Sequence, residues 1–194
     1  ALGVSRQPVQ QALVLLRNQG VLHDAPGRGL LVAPLDPTHV QHMYDLRAVI
    51  EGLAARRAAE QGAERAARSG PALIEAGRRA VAAGSVARLI AADIRLHEFI
   101  HTLSGNPLIE RTLNSHLTYT QRVMGEVLAR DEKPHDIWDQ HAAILDAIAA
   151  GNADLAEERM QQHLRLACEF MVYRLNSNVE ETKDPAESED RAER

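Results

Sequence analysis

Aromatic side chains make up only 3% of the 194 residues, and there is a single cysteine, Cys168. So few aromatics argue against a β-sandwich, whose pleated faces favour aromatic and β-branched residues. A lone cysteine excludes an internal disulfide and fits a reducing, cytoplasmic setting. No run of about 18 apolar residues occurs, so no transmembrane helix and no membrane partner are expected. Nor does a charged-then-apolar signal segment open the chain. What the chain has in quantity is alanine and leucine, within a sequence that is 45% hydrophobic. That composition favours helices packed through small and aliphatic side chains, and a mainly α fold.

A formal charge of −5 speaks at first against a nucleic-acid partner. Its distribution says otherwise. Between Glu180 and Arg194 seven acids stand against three bases, so this stretch carries most of the excess. Residues 1–35 hold Arg6, Arg17 and Arg28 against Asp24 alone. A small basic head, a near-neutral body and an acidic tail are compatible with DNA binding at the head.

Three segments follow from the patterning. In residues 1–35, Ser5 is a good N-cap and Pro8 sits early in a helix, where its missing N–H does least harm. Val9, Leu13 and Leu16 form its apolar stripe, and Gly20 ends it. Two short strands then flank the tight turn Ala25-Pro26-Gly27-Arg28-Gly29. A helix followed by a two-stranded hairpin is the second half of a winged helix-turn-helix. A lone helix and hairpin cannot bury such a stripe, so further helices are expected upstream of Ala1. Residues 36–176 read as a six- or seven-helix antiparallel bundle, divided at Asp36-Pro37, near Ala63, at Ser85, at Asn106-Pro107, at Pro134 and at Asp154. Ser69-Gly70-Pro71 is expected to break the second of these helices. Residues 177–194 lack hydrophobic periodicity and read as an acidic, disordered tail.

The chemistry lies in the bundle. Asp93 falls within the stripe Leu89, Leu96, Ile100 and Leu103, and His97 is one turn further along the same face. His141 sits among Trp138, Leu145 and Ile148, and His163 among Ala156, Met160, Ala167 and Met171. Three helices therefore aim ligand-type side chains inward. An isolated carboxylate in a bundle core costs several kcal/mol unless it is paired, protonated or bound to a cation. One Asp and three His suit Zn²⁺, Ni²⁺ or another first-row divalent ion. His101, a further turn beyond His97, is not excluded by spacing.

The run Leu2-Gly3-Val4-Ser5-Arg6-Gln7-Pro8-Val9-Gln10-Gln11-Ala12-Leu13, with Gly27-Arg28-Gly29, resembles the recognition helix and wing of GntR-family transcription regulators. The body resembles that family's FadR-type (FCD) effector domain through Arg47 to Glu51, Asp93 to His97, Ser104-Gly105-Asn106, His141 with Gly151-Asn152, and the run Ala156 to Leu164. This resemblance places the metal ligands on Asp93, His97, His141 and His163, leaving out His101. It implies a homodimer gripping a palindromic operator, and a small organic acid as effector, bound beside the metal with help from Arg47. Asn106 is a further effector candidate or a helix cap. Arg6 is the leading base or phosphate contact, supported by Ser5, Gln7, Arg17, Arg28 and Gly29. Gln10 stands where the family usually has a second arginine; glutamine can read adenine but adds no counterion-release affinity. The expected function is thus a metal-containing, effector-responsive regulator and not an enzyme. Its rivals are a metalloenzyme on a helical bundle and a bundle whose metal is only structural.

Overall fold

A computed structural model describes residues 3, 5–130 and 136–181, with side chains as far as residue 177. The head consists of α1 (Arg6–Asn18), β1 (Leu22–Asp24) and β2 (Leu30–Val32). The strands pair antiparallel, with Leu22 opposite Val32 and Asp24 opposite Leu30. Gly27 and Gly29, at φ 101° and 111°, adopt a backbone that L side chains rarely take, and they present Arg28 between them. Ser5 precedes α1 in an extended conformation, but its side chain makes no capping hydrogen bond. No residue of α1 is buried, and Val9 and Leu13 of its stripe stay exposed among the described residues.

The body is an all-helical bundle of α2 (Pro37–Gln61), α3 (Ala63–Ala82), α4 (Val86–Leu103), α5 (Pro107–Arg130), α6 (Ile137–Ala149) and α7 (Ala153–Glu181). At its start, α2 has Pro37 in the first turn and the Asp36 carboxylate accepting from Thr38 N at 2.9 Å. Its inner face is built from Ala54, Ala55, Ala58 and Ala59, small enough to let α7 lie close alongside. The two run antiparallel: Gln41 meets Cys168, Gly52 meets Gln161, and Arg56 pairs with Asp154 and Glu157. Against this seam α7 buries Ala156, Met160, Leu164, Cys168, Met171 and Leu175, one residue per turn. The centre of the core is Leu96 and Ile100 of α4, Val123 and Val127 of α5, and Trp138, Ile144 and Ile148 of α6. No helix among the described residues is long and apolar enough to cross a membrane.

Two expectations change. Helix α3 runs without a break through Ser69-Gly70-Pro71. Gly70 lies under Leu145 of α6, so close that a Cβ there would sit 3.1 Å from Leu145 Cδ1, and this packing outweighs local propensity. The last helix continues to Glu181, into the segment expected to be disordered from residue 177. Buried Met171 and Leu175 anchor it, and once anchored a helix propagates at little cost. Residues 182–194 and Pro134 lie outside the described residues.

Where the head passes into the body, Gly20 lies against Tyr119 and His39, and Leu35 packs on the core. Asp36 N donates to the Tyr119 hydroxyl of α5 at 3.1 Å, and the Tyr119 ring stands edge-on to His39, centroids 4.6 Å apart.

A glycine in α3 is needed for packing. A Cβ on Gly77 would overlap the benzo ring of Trp138. Gly77→Ala is expected to cost about 1–3 kcal/mol through overpacking, read as a lowered urea midpoint. Gly125→Ala, where an added Cβ meets nothing within 4 Å, is expected to stabilise by about 0.4–1 kcal/mol.

Candidate metal and effector site

Asp93 and His97 project from one face of α4, His141 from α6 and His163 from α7, and the structure brings all four to one point inside the bundle. His141 Nε2 and His163 Nε2 are 3.2 Å apart. Asp93 Oδ1 lies 3.5 Å from His141 Nε2 and 4.0 Å from His97 Nε2. Ligand atoms of the three histidines all lie within 4.8 Å of one another, and the three rings are buried.

The nitrogens facing away from this point are held by partners. His97 Nδ1 donates to Glu51 Oε2 at 2.5 Å, and His163 Nδ1 donates to Gln140 Oε1 at 3.0 Å. Those bonds place the ring protons outward and the Nε2 lone pairs inward, as metal-binding imidazoles require. His97 Nε2 is buried without a hydrogen-bond partner. Trp138 stands edge-on to His141, centroids 4.8 Å apart, and fixes its ring plane.

Two close, inward-facing imidazole acceptors repel unless a proton or cation lies between them. The charged, doubly protonated rings are disfavoured: burial, then the charges of His97 and Arg47, pushes His163 down to about 3, so without a metal the single proton of neutral His141 lies on Nε2 between the two nitrogens. Burial and the neighbouring histidines hold His141 well below its usual value. Asp93 is raised by burial, opposed in part by His97 and Arg47. A tetrahedral ion with metal–nitrogen bonds of about 2.0–2.1 Å spaces its nitrogens about 3.3 Å apart. The observed 3.2 Å separation and the donor set fit Zn²⁺ or Ni²⁺.

Behind the cluster lies a residue whose role sequence reasoning missed. Glu51 is buried in α2, and Arg47 Nε donates to its Oε1 at 2.7 Å. His101 Nε2 donates to Oε2 at 3.2 Å, which places His101 on Glu51 and not among the four converging groups. Burial would raise the Glu51 carboxyl, but Arg47 and His97 hold it well below the usual range. His97 is raised in turn: burial lowers it, and the Glu51 carboxylate outweighs burial. Arg47 lies over Tyr44, 4.9 Å from the ring centroid, and its terminal nitrogens make no hydrogen bond among the described residues. Gln140 was missed as well; it adjoins His141 in sequence but serves His163.

Two cavities share the wall formed by Arg47, Asp93 and His97. One, with about 490 Å³ of empty space, continues to Trp138, Leu164 and Met171; the other, with about 470 Å³, continues to Asn114, His116 and Thr120. Asn106 lines neither; its Oδ1 accepts from Leu108 N at 3.1 Å and caps α5. In the head, Ser5, Arg6, Gln7, Gln10, Arg17, Arg28 and Gly29 are all exposed, and Arg17 pairs with Asp24 at 3.2 Å.

The profile of the FCD domain matches residues 42–166, a span that holds Arg47, Glu51 and all four converging side chains. The chain belongs to the FCD-domain family. Similar chains are HTH-type regulators by name. One, from an unstable DNA locus of Streptomyces ambofaciens, is 28% identical over 85% of this chain and 69% of its own length. The transcriptional repressor RspR of Escherichia coli K12 is 26% identical over 84% of this chain and 71% of its own. Among solved structures, McbR/YncC of E. coli superposes with a TM-score of 0.78 at 16% identity, covering 89% of this chain and 82% of that one. A transcriptional regulator GntR from Rhodococcus sp. RHA1 gives 0.72 at 21% identity, with the same coverage. The fold is therefore that of GntR-type regulators carrying an FCD domain.

The depressed histidines set a pH dependence. An unfolded chain takes up a proton at His163 near 6.5, whereas the folded chain does so only near 3. Between those values the unfolded state binds more protons, so stability falls as pH falls, and His141 acts in the same sense. The raised His97 contributes stability that is fully present below 6.5, so it adds no slope there. In chelator, the thermal midpoint is expected to drop steadily from about pH 7 to about pH 5, and His163→Gln should flatten that slope.

Proposed function

We propose that this FCD-family transcription regulator senses an organic acid at a divalent transition metal held by Asp93, His97, His141 and His163, and that the acid alters its grip on operator DNA. The observation carrying this reading is the convergence of three buried imidazoles and one carboxylate beside an arginine whose terminal nitrogens are free to receive an anion. Four protein ligands would fill a tetrahedral ion, so the ion would have to accept a fifth or sixth ligand, and that Lewis-acidic position would receive a carboxylate oxygen. Arg47, tethered through Nε to Glu51, can offer its remaining N–H groups to the same carboxylate as charge-assisted donors. Glu51 orients His97 and Gln140 orients His163, so the site is organised before any acid arrives.

The reading head belongs to the same proposal. Arg6, Gln10 and Arg17 recur along one exposed side of α1, with Ser5 and Gln7 at its start and Arg28 and Gly29 in the wing. A homodimer would place two such heads on a palindromic operator. The exposed apolar residues Leu46, Val49 and Leu53 of α2 form a face that a second copy would cover. A coupling of about 1–3 kcal/mol between acid and operator would make a useful switch.

Elemental analysis of the purified chain is expected to find one divalent transition ion per chain, lost in His141→Ala. Glu51→Gln is expected to weaken metal affinity about 10–100-fold. For the acid, Arg47→Ala should weaken calorimetric carboxylate binding about 10-fold or more when measured at saturating metal, which offsets the loss of a Glu51 partner. Metal that raises the melting temperature while no carboxylate binds would leave only a structural ion, and this reading would fall.

A further inference from the structure

The two cavities beside the cluster differ in chemistry, and the difference narrows the class of acid. In the first, the charged and ligand-type groups sit at one end: Arg47, Asp93, His97 and His163. Beyond them the wall is Leu89, Met124, Leu128, Trp138, Leu164 and Met171, all buried. The hydrogen-bonding side-chain atoms in that stretch, thioethers aside, are Trp138 Nε1, a buried donor without a partner, and the hydroxyl of buried Tyr44. Two neutral groups can satisfy one or two oxygen atoms, such as a keto group or a single hydroxyl. They cannot compensate a carboxylate, whose burial without a counter-charge costs several kcal/mol. A row of hydroxyls would fare little better, since each needs its own partner.

The second cavity offers no better home for a further anionic group. Its wall carries the carboxylates of Glu98 and Asp93, and its one cation, Arg47, is shared with the first cavity. Glu98 and Asn114 on its rim are exposed, whereas the apolar chamber is walled by buried Leu89, Leu164 and Met171. The site thus has one place for an anionic head and, next to it, one dry chamber. Met124 and Met171 make that chamber adaptable in shape, because an unbranched thioether fits irregular gaps.

We infer that the effector is a monocarboxylate with an apolar body, aliphatic or arylalkyl, and not a di- or tricarboxylate or a sugar acid; this rests on the organic-acid reading above. The carboxylate lies at Arg47 and the histidine cluster, and the body lies against Leu128, Trp138 and Met171.

The test is calorimetric titration of the metal-loaded full chain with two series of acids: acetate, butyrate, hexanoate and phenylacetate, then succinate, citrate and gluconate. Affinity is expected to rise about fourfold per added methylene until the chamber is filled. Hexanoate or phenylacetate should bind at least about tenfold more tightly than any acid of the second series. Ala167→Phe, which narrows the chamber from α7, should weaken hexanoate at least about tenfold and leave acetate unchanged. Should that variant fail to fold, Met171→Gln makes the same comparison. Citrate, succinate or gluconate binding as tightly as hexanoate, or affinity independent of chain length, overturns the inference while leaving an organic-acid sensor in place. Binding of no acid by metal-loaded protein overturns the organic-acid reading itself.

Discussion

Glu51 lies inside the bundle with its two oxygens divided between Arg47 on one side and His97 and His101 on the other. A carboxylate in that position, without partners, would cost several kcal/mol. Satisfied three times over, it instead fixes α2 against α4 in register and in rotation. The orientation of the His97 ring depends on it, and so does the pose of Arg47. Each is therefore organised by the same buried charge, and neither can shift without affecting the other.

Much of this was legible in the sequence, for reasons that can be stated. Asp93 and His97 are one turn apart on an apolar stripe, and His141 and His163 each interrupt another stripe, so helical periodicity alone aimed them inward. Glu51 was visible only as a local partner of Arg47. Its burial comes from α4, and no spacing within α2 encodes that contact. His101 could not be separated from His97 by periodicity; what separates them is which nitrogen Glu51 engages. Pro71 looked like a stop because the sequence shows the proline and not the Leu145 side chain packed over Gly70. The segment from residue 177 looked disordered because its charge was visible and its anchor at Leu175 was not weighed. Gly77 has meaning only once the Trp138 ring is in place.

The body also divides by texture. The α2–α7 seam is made of alanines, with Gly52 under Gln161, and such close backbone packing leaves little room for rearrangement. Across the cluster, α5 contributes Leu113, Leu117 and Thr120 to one cavity and Met124 and Leu128 to the other. The rigid side thus bears His163 and Arg47, while the side with empty space is bounded by α5.

The hydrogen bond from Asp36 to Tyr119 acquires a mechanical meaning from that arrangement. Tyr119 sits one residue from Thr120 on the helix that walls both cavities, and Asp36 ends the short span joining the wing to α2. The pair ties the start of α2 to α5, and the head, with α1, lies beyond it. With 13 residues, α1 is about 20 Å long. A turn of about 5° at that tie sweeps the far end through roughly 2 Å, comparable to the difference between a made and a broken hydrogen bond. At that ratio a displacement too small to disturb the alanine seam would be amplified by the time it reached the far end of α1.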